Sequence, residues 1–268
     1  MIKFLAKGLI RDRSRSLFPL LTIIITVTLV IFGIGFMEGA MNNFLQSTAV
    51  ISSGHVKVVT KAYEKESSQL PNDLALFETN KIIQNLSDLY PNYFWTPRIT
   101  FGGLLDTPNE DGDTKEQGPV FGIGIDFHSK TSRQIEIWEL EKYLLHGNLP
   151  KNTNDALIST KLAKQLSVNV GSTVTLISTT MDNAFTTYNF EITGIFNLNK
   201  GQVDRQMMLV DISGARQALG MEGAASEILG YHQSLYYNDN EATSMRTSFN
   251  STISDSITKV LRDEASYD

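Results

Sequence analysis

The stretch RDRSRSLFPLLTIIITVTLVIFGIGFMEG, residues 11–39, decides how the rest of the chain is read. Residues 17–37 hold 21 positions without one charge. As an α-helix rising ~1.5 Å per residue, they reach about 31 Å, the thickness of a bilayer's hydrocarbon core. A soluble core helix seldom stays uncharged so far. The segment therefore reads as a membrane span, with Leu17, Pro19, Ile24, Val30, Gly33 and Met37 along its length. Its spacing puts Pro19 in the first helical turn, where a missing N–H leaves no bond unmade. Thr22, Thr26 and Thr28 fit because a helical threonine can return its hydroxyl to the carbonyl one turn back.

The flanks set the direction. Residues 1–16 carry Lys3, Lys7, Arg11, Arg13 and Arg15 against Asp12 alone, and the first charge beyond the span is Glu38. By the positive-inside rule the N-terminus stays cytoplasmic and everything after about residue 41 is exported. A cleaved signal peptide shares the basic start, but its apolar core runs only ~7–15 residues. The best small-x-small site, Gly33-Ile34-Gly35, lies inside the apolar run, so an uncleaved anchor is expected. Subtracting the +4 of residues 1–16 from the chain's −6 leaves −10 for the remainder. That acidic surface offers no basic stripe for phosphates, which argues against nucleic-acid binding. With no cysteine, there is no disulfide framework, thiolate metal site or cysteine nucleophile. The exported part, about 227 residues, is long enough to bury its own core, read as two lobes of one unit.

Along the chain, Phe4, Leu5, Gly8, Leu9 and Ile10 among basic residues suggest an amphipathic elbow over 1–16, lying on the cytoplasmic membrane surface. Residues 38–47 read as a helical stalk continuing out of the span. GHVKVVTKAY, residues 54–63, alternates His55 and Lys57 outward with Val56 and Val58 inward, as a strand does. Residues 79–90 put Ile82, Ile83, Leu86 and Leu89 on one helical face, closed by Pro91. WTPRITFGGLLD and GPVFGIGIDF flank the polar TPNEDGDTKEQ, a β-hairpin pattern. RQIEIWELEKYLLH, residues 133–146, is a helix or turn region. Asp155 is the expected cap of a helix ALISTKLAKQL. After Gly171 a strand begins, then YNFEITGIFN and RQMMLVDI follow as strands, and SGARQALGM as a helix capped by Ser213. From residue 239 to 262, Met245, Phe249, Ile253, Ile257 and Val260 form a helical stripe. Irregular alternation of strands and helices makes the class α+β, with one N-terminal transmembrane helix before a mixed exported domain.

Motifs that would carry chemistry fail one by one. Gly122 and Gly124 lack a third glycine and a following helix, so FGIGIDF is no dinucleotide loop. In NEDGD, Asp111 precedes Gly112 as in a calcium loop, but the first and twelfth ligand positions would fall on Thr107 and Gly118. His55, His128, His146 and His232 lack metal-ligand spacing. No GxSxG elbow and no GxxxxGK[ST] phosphate loop occurs, so no catalytic, metal or cofactor site is expected. Any ATP would be bound by a separate subunit.

NDALISTKLAKQLSVNVGSTVTL, residues 154–176, resembles the extracytoplasmic domain of ABC-transporter permeases of the MacB, LolC/LolE and FtsX superfamily. FGIGID, FEITGIFN and MLVDISGARQALGM stand in the order of further motifs of that family. LAKGLIRDRSRSLFPLLT resembles its elbow and first membrane helix, and SGHVKVVTKAY its first exported strand. The resemblance covers most of the chain. It implies a bacterial inner-membrane permease subunit of a transport, lipoprotein-release or mechanotransmission complex. Its implied partners are a cytoplasmic ABC ATPase dimer, a second permease subunit making a homo- or heterodimer, membrane lipid, and lipoproteins or a periplasmic carrier. It also implies a MacB-like exported domain over 48–268, with a second lobe at roughly 141–205. Three later membrane helices and the coupling loop that touches the ATPase belong to the family pattern but not to this sequence, so this chain alone is expected not to transport. The hook that LolC-type members use to hold a carrier is here the short TTMDNAFTT, residues 179–187, where Met181, Asp182 and Phe185 are the candidate partner contacts.

Two other classes fit the residues themselves. One is a single-pass anchored binding module working through loops 107–117 or 179–187. The other is a membrane-tethered hydrolase, against which the lack of a nucleophile–base or metal constellation stands.

Overall fold

The apolar run lies in helix α1 (Arg13–Thr48), 36 residues long. The computed structural model describes residues 13–48, 51, 53–109, 114–129, 132–198 and 205–264. Within α1, Leu17–Met41 spans 25 residues with mean hydropathy 2.6, a rise of about 37 Å. Apolar side chains surround it on every side instead of forming one stripe, the pattern of a helix solvated by lipid or wholly enclosed by protein. Thr22 and Thr26 donate their hydroxyls to the carbonyls of Phe18 and Thr22, at 2.9 and 2.8 Å, the back-bonding expected of them. Pro19 corrects the sequence reading. It stands inside the helix and not in its first turn, because residues 13–16 are already helical below the apolar run. The elbow expected over 1–16 otherwise falls on residues 1–12, outside the described residues.

Ala49–Asp268 forms a second unit of α+β structure. Its strands are β1 (Val56–Val58), β2 (Tyr93–Pro108), β3 (Thr114–Ile125), β4 (Leu144–Gly147), β5 (Asp155–Ser159), β6 (Thr173–Thr179), β7 (Phe185–Phe196), β8 (Met207–Asp211) and β9 (Glu227–His232). Its helices are α2 (Lys61–Glu66), α3 (Thr79–Leu89), α4 (Gln134–Ile137), α5 (Leu140–Tyr143), α6 (Thr160–Gln165), α7 (Ile212–Leu219) and α8 (Asp239–Glu264).

Pairing runs β2–β3–β8–β5–β7–β6 and then returns from β6 to β2, so these strands close on themselves. Closure removes the unpaired edges that make open sheets stick to other chains. The long β2 serves two partners in turn: residues 93–98 pair with β9, and its continuation pairs with β3 and β6. Side chains alternate between two cores, as the strand period of two requires. Ala156, Ile158, Met208 and Val210 join Phe101, Leu105, Val174, Leu176 and Phe190 in one. Leu157, Met207 and Leu209 join Trp138, Phe196 and Tyr231 in the other.

Because β5 and β8 are buried on both faces, their sequences are continuous apolar runs without alternation. This explains a second correction. DALIS is a strand and not the start of a helix, and α6 begins only at Thr160, capped by Ser159, which accepts the Leu162 N–H at 3.2 Å. Asp155 instead closes the preceding turn, accepting the N–H groups of Lys151 and Asn152 at 2.8 and 3.0 Å. The cap of α7 is likewise Asp211, which takes the Ser213 N–H at 2.9 Å, and not Ser213 itself. Residues 133–146 resolve into α4, α5 and the start of β4.

Gly171 has φ +90, open to glycine at little cost. At Gly194 the β5–β7 register skips Thr193, and a Cβ there would meet the Asn148 carbonyl and the Leu144 and Leu157 side chains, each at 2.8 Å. On α3, Leu86 is buried and Ile82 and Ile83 are half-buried, while Leu89 is exposed. The tip of the β2–β3 hairpin, with Asp111 and Gly112, lies outside the described residues. So do the side chains of Ile253, Ile257 and Val260 on α8.

Candidate functional site

Both ends of the α+β unit's described chain meet the sheet along one edge, formed by β1 and β9. β1 pairs antiparallel with β9, Val56 opposite Gly230 and Val58 opposite Ile228, so the start of β1 and the end of β9 stand side by side. The His55 N–H donates to the Gly230 carbonyl at 2.9 Å, and the His232 N–H donates to His55 Nδ1 at 3.0 Å. A short turn later α8 begins, and its Met245 and Phe249 pack against Trp95, Tyr93 and Ile228.

An ion cluster ties this edge to the sheet. Arg98 of β2 donates through Nε to Glu227 Oε1 at 2.8 Å and through Nη1 to the Ile51 carbonyl at 2.8 Å. Its Nη2 lies 2.7 Å from the same carboxylate oxygen, and Lys57 Nζ lies 3.2 Å from Glu227 Oε2. The Arg98 and Glu227 side chains are only 5% and 4% exposed, so the pair is removed from water. The Glu227 carboxylate thereby joins β1, β2 and β9, and Arg98 in turn ties them to residue 51.

His55 is the sharpest departure from the sequence reading at this edge. Expected to point outward, it is 5% exposed, enclosed by Tyr231 and Tyr237. Burial, reinforced by His232 and opposed by Glu241, lowers its pKa from 6.5 to about 4. Nearby, burial and then Glu241 push the Tyr93 phenol up to about 12. The folded chain thus keeps His55 neutral while the unfolded chain protonates it near 6.5. The unfolded state binds the extra proton between those values, and stability falls as pH drops from about 6.5 towards about 4. Replacing His55 with Asn, whose carbonyl can still accept the His232 N–H, is expected to flatten that part of the melting-temperature profile. An unchanged profile in the variant would show that His55 does not cause it.

The candidate contact loop takes a different form from a free apolar tip. Met181 donates its N–H to the Leu219 carbonyl at 2.9 Å and packs its side chain against the first core. Asp182 is exposed, and Phe185 at the start of β7 is 74% exposed. The tip therefore leans on the end of α7 and leaves Phe185 as its open apolar surface. On α1, Leu17, Ile24, Val30 and Met37 are exposed and nothing lies within 4 Å of a Cβ built on Gly33. The motif aspartates have turn-building roles. Asp126 accepts the N–H groups of His128 and Ser129 at 3.0 and 2.8 Å.

Sequence reasoning missed Arg98 and Glu227, although each stands as a lone charge in an otherwise apolar strand, WTPRITF and SEILGYH. Buried charges of that kind need partners, which is the signal that was there to use. The His55–His232 contact joins residues 177 apart and has no local signature.

The fold is thus one helix long and apolar enough to cross a membrane, followed by an α+β unit built on a closed ring of strands. Residues 16–254 match the family model of the MacB-like periplasmic core domain. The chain belongs to that family, the domain of ABC-transporter-type permeases, and so to a transporter component in place of a classical enzyme. Among solved structures it is similar to the crystal structure of the periplasmic region of MacB from Actinobacillus actinomycetemcomitans, at 15% identity and TM-score 0.42, over 68% of this chain and 82% of that one. None of the curated proteins matches.

Proposed function

We propose that this chain is a permease subunit of an ABC-type transport or lipoprotein-release complex that carries ATP-driven motion across the inner membrane. The observation that carries the reading is α1, an unbroken 36-residue helix with a 25-residue apolar stretch, in a chain of this family. The five basic residues before the span favour a cytoplasmic N-terminus and an exported body. A separate cytoplasmic ATPase dimer closes on ATP, and a second permease subunit completes the pair. The helices move as stiff rods, and the exported bodies shift against each other to act on lipoproteins or a periplasmic carrier. The Arg98–Glu227–Lys57 cluster suits this role, because it fixes the incoming segment at Ile51 to the sheet.

The test is a flexible Gly-Ser insertion after Ser47 in the assembled complex. The expected result is loss of transport or release with ATP hydrolysis retained and the thermal unfolding of the body unchanged. Undiminished transport would defeat the lever. It would leave the anchored binding module, for which the exposed Phe185 is the supporting feature.

A further inference from the structure

The connection from β9 to α8 hangs on the ring of His55. The His232 N–H donates to His55 Nδ1 at 3.0 Å. A backbone N–H can only donate, so Nδ1 is a bare acceptor and the neutral imidazole carries its proton on Nε2. A second proton must go to Nδ1, where it sets a donor against a donor. Charging His55 therefore removes the bond that holds His232, and the turn into α8 is built on that residue. The Leu235 N–H returns to the His232 carbonyl at 2.9 Å, and the Ser234 N–H donates to His232 Nδ1 at 3.2 Å.

The titratable and charged groups around this ring come from β9, α8, β1 and β2. Tyr231 of β9 and Tyr237 just before α8 face His55, and the Tyr237 hydroxyl donates to Asp239 at 2.8 Å. Lys57 of β1 is paired with Glu227, Arg246 of α8 acts on Tyr237, and Tyr93 of β2 meets the His232 ring edge-on. Glu241 of α8, 4.0 Å from His232 Nε2, favours a charge on His55, but burial and His232 outweigh it. α8 itself is lightly seated. In its first three turns only Ala242 is buried, Met245 and Phe249 are half-buried, and a cleft of about 550 Å³ lies between α8, β1 and α2. An element held by few buried apolar groups opens at lower cost than the core.

We infer that His55 is the proton switch of a latch: its neutral form holds α8 against β9 and Trp95, and its charged form releases the helix while the closed ring of strands stays folded. The released form binds the extra proton, so acid favours release. With His55 at about 4 in the latch and at 6.5 once freed, the ratio of released to latched chains rises about thirtyfold from pH 7.5 to pH 5. The latch lies within the body and holds whether or not the chain transmits ATP-driven motion.

The test uses the full chain in lipid nanodiscs, with spin labels on introduced thiols at exposed positions and no native cysteine to interfere. Lys65→Cys with Thr247→Cys measures α2 to α8, and Lys65→Cys with Lys164→Cys measures α2 to α6. Electron–electron dipolar spectroscopy is expected to show the first pair moving reversibly to longer, broader distances between pH 7.5 and pH 5, and the second unchanged. His55→Asn supplies an acceptor for the His232 N–H that does not titrate, so the first distance is expected to hold at both pH values. Should that variant not fold, Glu241→Gln, at an exposed position, is expected to steepen the acid response, because the latched ring then charges less readily. A first pair insensitive to pH, equal lengthening of both pairs, an acid response retained in His55→Asn, or no steepening in Glu241→Gln would each overturn the latch.

Discussion

Replacing Glu227 with Leu is expected to cost the fold about 3–5 kcal/mol, the range for stranding a buried charge by removing its partner. The guanidinium of Arg98 would lose its carboxylate, and Lys57 would then face it as a like charge. The companion variant is the more telling one. Arg98→Met together with Glu227→Leu removes both buried charges and fills the space with apolar atoms, so it should recover most of the loss. Chemical denaturation of the detergent-solubilised chain measures both. A double variant as unstable as the single would mean that the cost lies in packing or in the lost Arg98–Ile51 bond, and that the pair is not the clamp described.

The second large effect is at Phe190. Its ring is 1% exposed and belongs to the core shared by β2, β6 and β7, beside Tyr188 at 4.9 Å between centroids. Phe190→Ala removes a whole ring from a closed arrangement that has little freedom to collapse, and about 3–5 kcal/mol is expected. The same denaturation experiment reads it. A cost below about 1 kcal/mol would show that the ring of strands relaxes as an open sheet can, against the closure inferred from the β6–β2 pairing.

How legible all this was in the sequence follows from how far apart the interacting residues lie. The membrane helix was plain, because 21 uncharged positions are a local pattern. The β2–β3 hairpin was equally local, two apolar runs around a polar turn. Val174 and Leu176 alternate with polar residues, and their strand was read correctly for that reason. DALIS failed the same method: buried on both faces, it has no alternation, and its short apolar run next to a true helix was absorbed into that helix. The closing β6–β2 contact joins Leu104 to Ile177, and no local periodicity encodes a pairing so distant. Of the site, Met181, Asp182 and Phe185 were singled out together as partner contacts, yet the chain turns Met181 towards the core and leaves Phe185 outside. The Met181 N–H is tied to the Leu219 carbonyl at the end of α7, a contact distant in sequence that the local pattern does not encode. His55 misled because alternation with Val56 assigned it to solvent, while Tyr231 and Tyr237, far along the chain, cover that face.

The most direct test of the central claim is the sidedness of the two ends. With no native cysteine, single introduced thiols report position without background. In right-side-out membrane vesicles, a membrane-impermeant maleimide should label Phe185→Cys at once and Lys3→Cys only after the bilayer is dissolved. The reverse pattern, or a labelled body recovered free of the membrane and lacking its first forty or so residues, would contradict an anchored helix with its basic end in the cytoplasm.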